Sequence, residues 1–107
     1  MSIQTYNNGP LPDFLSERAY FTISEFALPR EDALRYFLWC KEEGHTILGW
    51  EVWLPTVPGP TVPVNHCEGD ADYCYSALLY ADFSDLTGKY GMEVVINITM
   101  EERFETG

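Results

Sequence analysis

Apolar and polar residues recur along this chain with two different periods, and the switches between them mark out its elements. Leu34, Phe37, Leu38 and Lys41 trace a stripe at helical spacing, flanked by Ala33 and Cys40. Pro29 suits the first helical position, where its missing N–H costs nothing. Glu31 and Asp32 follow in the first turn, favourable to the positive end of the helix dipole. Glu31 and Arg35 stand as an i, i+4 pair in the better orientation, and Gly44 provides a stop. These signals predict a helix over 29–43. From Ile47 to Leu54 the period becomes two: Leu48, Trp50, Val52 and Leu54 fall on one face, and Ile47, Gly49, Glu51 and Trp53 on an outward one. A second strand is predicted over 92–100, where Met92, Val94, Ile96, Ile98 and Met100 alternate with Glu93, Val95, Asn97 and Thr99.

Three segments are less regular. Residues 1–13, with Asn-Asn-Gly and two prolines, read as an irregular lead-in, after which Asp13 could cap a short helix over 14–20. Pro-Thr-Val-Pro occurs twice, at 55–58 and 60–63, hinged at Gly59. Its prolines remove ladder donors, so the segment reads as a rigid loop or an extended edge joining two strands. Tyr75, Leu78, Leu79, Phe83 and Leu86 fit one helical face, although Tyr73, Tyr75, Ala77 and Leu79 also alternate. Length and an acidic cap, Asp70 or Asp72, favour a second helix over 72–86. The assembly predicted is a single α+β domain, 1–107. An antiparallel sheet of three to four strands is packed by the helix 29–43 and a second at 72–86.

Charge changes the picture most. Seventeen acidic residues against six basic ones give a net charge of −11, while 46% apolar content supplies a core. Between Glu42 and Gly88 stand Glu42, Glu43, Glu51, Glu68, Asp70, Asp72, Asp82 and Asp85, and no lysine or arginine. Such a span cannot neutralise itself by local ion pairs, so its field faces water or a positively charged partner. The sign of the charge argues against direct nucleic-acid binding. No apolar stretch approaches the roughly 18 residues of a membrane span. The absence of a leader and the odd count of cysteines (Cys40, Cys67, Cys74) fit a reducing cytoplasm.

Candidate chemistry is sparse. No G-x-S-x-G, phosphate loop or partnered histidine is present, so no catalytic residue, small-molecule substrate or cofactor is expected. His66, Cys67 and Cys74, with Asp70 and Asp72 between, lack the paired half-site spacing of structural zinc, and no metal is expected. Asp70-Ala-Asp72 lacks the glycine and terminal acid of a calcium loop. The aromatics are the stronger clue. Three tryptophans, seven tyrosines and six phenylalanines exceed what one helix and sheet require. Core packing accounts for Phe37, Trp39 and Trp50. Trp53 beside Glu51, and Tyr73 and Tyr75 beside Glu68, Asp70 and Asp72, form the candidate partner-binding set, in the pattern of aromatic anchors with an acidic rim. Pro63 and Gly69 place the three acids of the second group on a surface loop.

The run Ile23-Ser-Glu-Phe-Ala-Leu-Pro-Arg-Glu-Asp-Ala-Leu, continuing to Glu43-Gly-His-Thr-Ile-Leu-Gly-Trp-Glu-Val52, resembles the opening half of a bacterial polymorphic-toxin immunity family, the one numbered forty. The similarity covers residues 23–54 and departs from the family at Trp50 and Glu51, where a second glycine and an aspartate are usual. The aromatic, Asp/Asn-rich motif that follows in the family is not evident around Val64-Asn65-His66. The resemblance implies a protein without activity of its own that binds and silences a cognate toxin domain. Charge adds that this toxin would carry a basic surface. A different class is also compatible with the acidity: a nucleic-acid mimic of phage or mobile-element origin that inhibits a DNA-binding protein or nuclease.

Overall fold

The computed structural model describes residues 3–55 and 63–101; of the proline-rich segment 55–63 predicted as a loop or extended edge, residues 56–62 lie outside them, and Pro63 opens a strand. In chain order the elements are β1 (Ile3–Tyr6), β2 (Gly9–Pro12), α1 (Asp13–Ser16), β3 (Tyr20–Phe21), β4 (Phe26–Ala27), α2 (Arg30–Glu43), β5 (Ile47–Trp53), β6 (Pro63–Glu68), α3 (Ala71–Tyr80), α4 (Ser84–Tyr90) and β7 (Val95–Met100). The fold is α+β. Its centre is an antiparallel sheet in the order β6-β5-β7, accompanied by two two-stranded ribbons, β1-β2 and β3-β4. Just past β4, Leu28 bridges Ile96 through two backbone hydrogen bonds, which adds a short piece of fourth strand beside β7.

The helix expected over 29–43 forms as Arg30–Glu43, with Pro29 one position earlier as the cap. Gly44 ends it in the left-handed region at φ 76°, its N–H returned to Cys40 and Lys41 carbonyls. The buried stripe is rotated from the expected one. Ala33, Tyr36, Phe37 and Cys40 face the sheet, Leu34 is half-buried, and Leu38 is exposed. The reason is Tyr36: its ring packs edge-on to Phe26, and its hydroxyl donates to the Pro10 carbonyl. That contact comes from the N-terminal ribbon, which replaces the irregular lead-in anticipated at 1–13. Asp32 is buried and accepts from Arg18 Nε at 3.1 Å and Arg35 Nη1 at 3.5 Å, so Arg35 pairs at i, i+3 and not with Glu31. The first helix is shorter than anticipated, with Pro12 and not Asp13 at its cap.

Strand β5 departs from simple alternation at both ends. Ile47 pairs with Met100 and Gly49 with Thr99, so Leu48 is an extra residue against β7. This bulge shifts the phase by one: Ile47 joins Trp50 and Val52 in the core, while Leu48 is pushed out to solvent. Near the other end Val52 pairs with Asn65 and Trp53 with Pro63, which makes Val64 the extra residue, on β6. The helix expected over 72–86 forms as two helices, α3 and α4. The break at 81–83 has local causes: Arg30 Nη1 donates to the Ala81 carbonyl, and Asp82 Oδ1 accepts from the Ser84 N–H and hydroxyl at 2.9 and 2.7 Å. The last strand begins at Val95, and Met92 and Glu93 remain outside it, exposed.

The principal core lies between α2, α3 and one sheet face, around Tyr36, Phe37, Trp50, Val52, Leu78, Ile96 and Ile98. Each such fully buried large apolar side chain contributes about 1.5–3 kcal/mol of transfer free energy. The ladder leaves no room for a side chain at Gly49, where a Cβ would stand 2.4 Å from the Cys67 carbonyl oxygen. Because the obstacle is backbone, Gly49→Ala must displace β6 from β5. We expect it to cost about 1–3 kcal/mol in chemical denaturation, the range of an overpacked core. An unchanged denaturation midpoint would show the strands not to be this close.

Candidate functional site

The two sheet faces differ. One carries the core; the other is covered in part by residues of β3 and β4. Trp53, Val95 and Ala27 form a small second cluster there, with Tyr20 packed against it. Trp53 is therefore not an outward anchor: it is only 6% exposed, and its Nε1–H finds no acceptor among the described residues. Its position in the alternation was correctly assigned, but β3 and β4 cover it. Next along the same face, Glu51 lies between His66 on β6 and Asn97 on β7, and Gly49 between Glu68 and Thr99. At this end no element among the described residues covers the sheet. A groove of about 470 Å³ opens there, lined by Leu48, Gly49, Trp50, Glu51, His66, Cys67, Glu68 and Thr99. Glu51 and Glu68, separate in sequence, thus face one shallow depression.

Beyond Glu68 the chain turns at Gly69 into α3. Asp70 is the N-cap, its Oδ1 accepting the Tyr73 N–H at 2.8 Å, and Asp72 lies in the first turn. Glu68, Asp70 and Asp72 are all exposed, as anticipated. They belong to a strand end and a helix start instead of a loop. Tyr73 and Tyr75 separate, because residues two apart on a helix point to nearly opposite sides. Tyr75 turns inward against Phe37, ring centroids 6.0 Å apart, and is half-buried. Tyr73 turns outward, 60% exposed, its ring against Gly69.

The outward side of α3 carries two further residues that were not selected from sequence, Leu79 and Tyr80. Tyr73, Ser76 and Tyr80 follow at i, i+3 and i+7 and so share a face, with Leu79 at its border; Tyr80 is 82% exposed. Asp70 and Asp72 lie at one end of this ridge, and Asp82 and Asp85 at the other. Hydrogen bonds from Ser84, assisted by the charge of Arg30, hold the Asp82 carboxyl below the usual carboxylate range and keep it anionic. The other face of α3 is structural. Cys74 and Leu78 are buried, and Trp50 Nε1 donates to the Cys74 carbonyl at 2.9 Å. Arg30, which lies outside the base-free span in sequence, reaches it in space with its guanidinium 5.6 Å from the Phe83 ring centroid.

Among the described residues no group of three or more His, Cys, Asp or Glu side chains converges as metal ligands would. Among them, too, no helix is long and apolar enough to cross a membrane. Comparison with protein-family models, curated proteins and solved structures gave no match. What the site offers is a surface. An exposed aromatic ridge on α3 has carboxylates at both ends, and a separate shallow groove on the sheet holds two more.

Proposed function

We propose that this chain is an immunity protein, a cytoplasmic inhibitor that binds a cognate bacterial toxin domain through a basic surface and occludes its active or substrate-binding site. The observation that carries the reading is the α3 ridge, where Tyr73, Leu79 and Tyr80 stand exposed between two pairs of aspartates. Large aromatics are the side chains most enriched among binding hot spots. Carboxylates around them steer a basic partner and reject an acidic one. The partner-binding set becomes Glu51, Glu68, Asp70, Asp72 and Tyr73, joined by Leu79 and Tyr80. Trp53 and Tyr75 leave it, since both are occupied in packing. No catalytic step by this chain enters the proposal.

The test begins with affinity purification from the native host at low salt, which should recover one basic protein in stoichiometric amount. Against that partner, Tyr80→Ala should raise the dissociation rate about 30-fold, the equivalent of about 2 kcal/mol. Asp72→Lys should slow association, with the deficit shrinking as salt approaches about 0.5 M. Asp70 is the wrong residue for this purpose: as a helix cap its loss costs about 1 kcal/mol of stability and would confuse the result. Recovery of no partner, or equal binding by Tyr80→Ala and Asp72→Lys, would remove the proposal. Displacement from several unrelated DNA-binding proteins by plain duplex DNA would favour the nucleic-acid mimic instead.

A further inference from the structure

We propose that Cys67 and Cys74 form an oxidisable dithiol that closes into a disulfide joining β6 to α3. All three cysteines are free, but they are not equivalent. Cys40 is buried on α2 beside Tyr36. Cys67 is half-buried on the edge strand β6, where it pairs with Trp50 and packs against the core on the α3 side. Cys74 lies behind it, fully buried near the start of α3, its Sγ 3.5 Å from the Gly69 carbonyl oxygen. Both stand where α3 packs on β6, and Cys67 is the neighbouring group that, after burial, raises the Cys74 thiol. One residue holds both in place: Trp50 is the cross-strand partner of Cys67, and its Nε1–H donates to the Cys74 carbonyl.

The difference in exposure assigns the roles. Cys67, half-buried at the sheet edge, is the thiol that a peroxide can reach, whereas Cys74 is enclosed. Its sulfur attacks one peroxide oxygen, the O–O bond breaks, and the thiol proton leaves with the departing oxygen as water or alcohol. The sulfenic acid so formed faces Cys74. Burial first, then the neighbouring Cys67, push the Cys74 thiol up to about 12, so it rests protonated and unreactive toward oxidants in solution. It reacts with the sulfenic acid at its side: the S–S bond forms, the S–O bond breaks, and the hydroxyl leaves with the Cys74 proton as water. Two thiols are oxidised by two electrons and one peroxide is reduced. The product fastens the first turns of α3, with Asp70 and Tyr73, to the sheet edge.

This inference is independent of any binding partner and is tested on the full chain with hydrogen peroxide. Intact mass should fall by two hydrogens, the free thiols should drop from three to one, and proteolysis should yield a peptide pair linked through Cys67 and Cys74. Dithiothreitol should restore all three. Cys67→Ser should abolish the linkage, and Cys74→Ser should stop at a sulfenic acid on Cys67 that dimedone traps. Because Cys74 is buried and its variant could unfold, the peptide map of the unaltered chain decides independently. Three thiols surviving peroxide, a linkage through Cys40, or overoxidation of Cys67 without a linkage would each overturn the proposal.

Discussion

Replacing Asn8 by alanine should destabilise the domain by about 2–4 kcal/mol, far more than a turn residue in a two-stranded ribbon would suggest. Asn8 is buried in the turn between β1 and β2. Its Oδ1 accepts the Phe26 N–H at 3.1 Å, and its Nδ2 donates to the carbonyls of Phe26 at 3.0 Å and Ile98 at 3.3 Å. Asn97, also buried, donates to the same Phe26 carbonyl at 3.0 Å. The two asparagines thus stitch the N-terminal ribbon, β4 and β7 together. Alanine would leave the Phe26 N–H enclosed without an acceptor, a penalty of about 1–3 kcal/mol, and would remove the two donated bonds as well. Asn8→Asp separates the two contributions. The carboxylate can still accept from Phe26 but cannot donate, and burial penalises its charge. Its deficit should therefore shrink at low pH, where the protonated acid regains one donor. Urea titrations of the three proteins check this, and an Asn8→Ala midpoint within error of the unaltered chain would refute it.

The same asparagine explains why the N-terminus was illegible in the sequence. Asn7-Asn8-Gly9 signals a turn, but four-residue strands rich in proline and polar residues carry no usable alternation. Their order comes from contacts made far along the chain, at Phe26, Tyr36 and Ile98. Helix α2 was legible because its boundary signals, Pro29 and Gly44, are local. Its buried face was not, because Tyr36 and Asp32 are drawn inward by Pro10 and Arg18. Strand β5 was legible in extent, but Leu48 bulges out, and a single inserted residue reverses every side chain before it.

The candidate site divides along the same line. Exposure of Glu68, Asp70 and Asp72 followed from their turn-forming neighbours and their charge. Separating Tyr73 from Tyr75 required knowing that this segment is a helix, since a strand would have placed both on one face. The alternation put Trp53 on the correct face of β5, but no local pattern reports that β3 and β4 cover it. Tyr80 could have been found from sequence: with the helix accepted, its seven-residue offset from Tyr73 puts the two on one face. The groove that joins Glu51 to Glu68 depends on β5–β6 register, which the bulge at Val64 sets and no composition reveals.

A steep alkaline limit to stability is the second large effect expected. Tyr36 is fully buried, and burial above all, then the adjoining Cys40, push its phenol far above the ordinary tyrosine range. Burial raises the Cys40 thiol to about 12, against a smaller lowering by the Tyr36 hydroxyl, and the Cys74 thiol is likewise raised to about 12. In the unfolded chain thiols lose their protons near pH 8.5 and phenols near about 10. Above those values the unfolded state binds fewer protons than the native state, so stability falls as pH rises, by about 1.4 kcal/mol per pH unit for each such group. Below about pH 8 the contribution is fully present. By about pH 11 the two thiols alone should have removed about 7 kcal/mol, within the range of a whole domain's stability. Unfolding by base should therefore be cooperative, with phenolate absorbance of Tyr36 appearing only as far-ultraviolet dichroism is lost. Cys40→Ala combined with Tyr36→Phe should flatten the slope while lowering stability at neutral pH, since it leaves a small cavity and frees the Pro10 carbonyl. A denaturation midpoint that stays level from about pH 8 to 11 would mean these groups ionise in the native state, and that the ring and thiol are not enclosed as described.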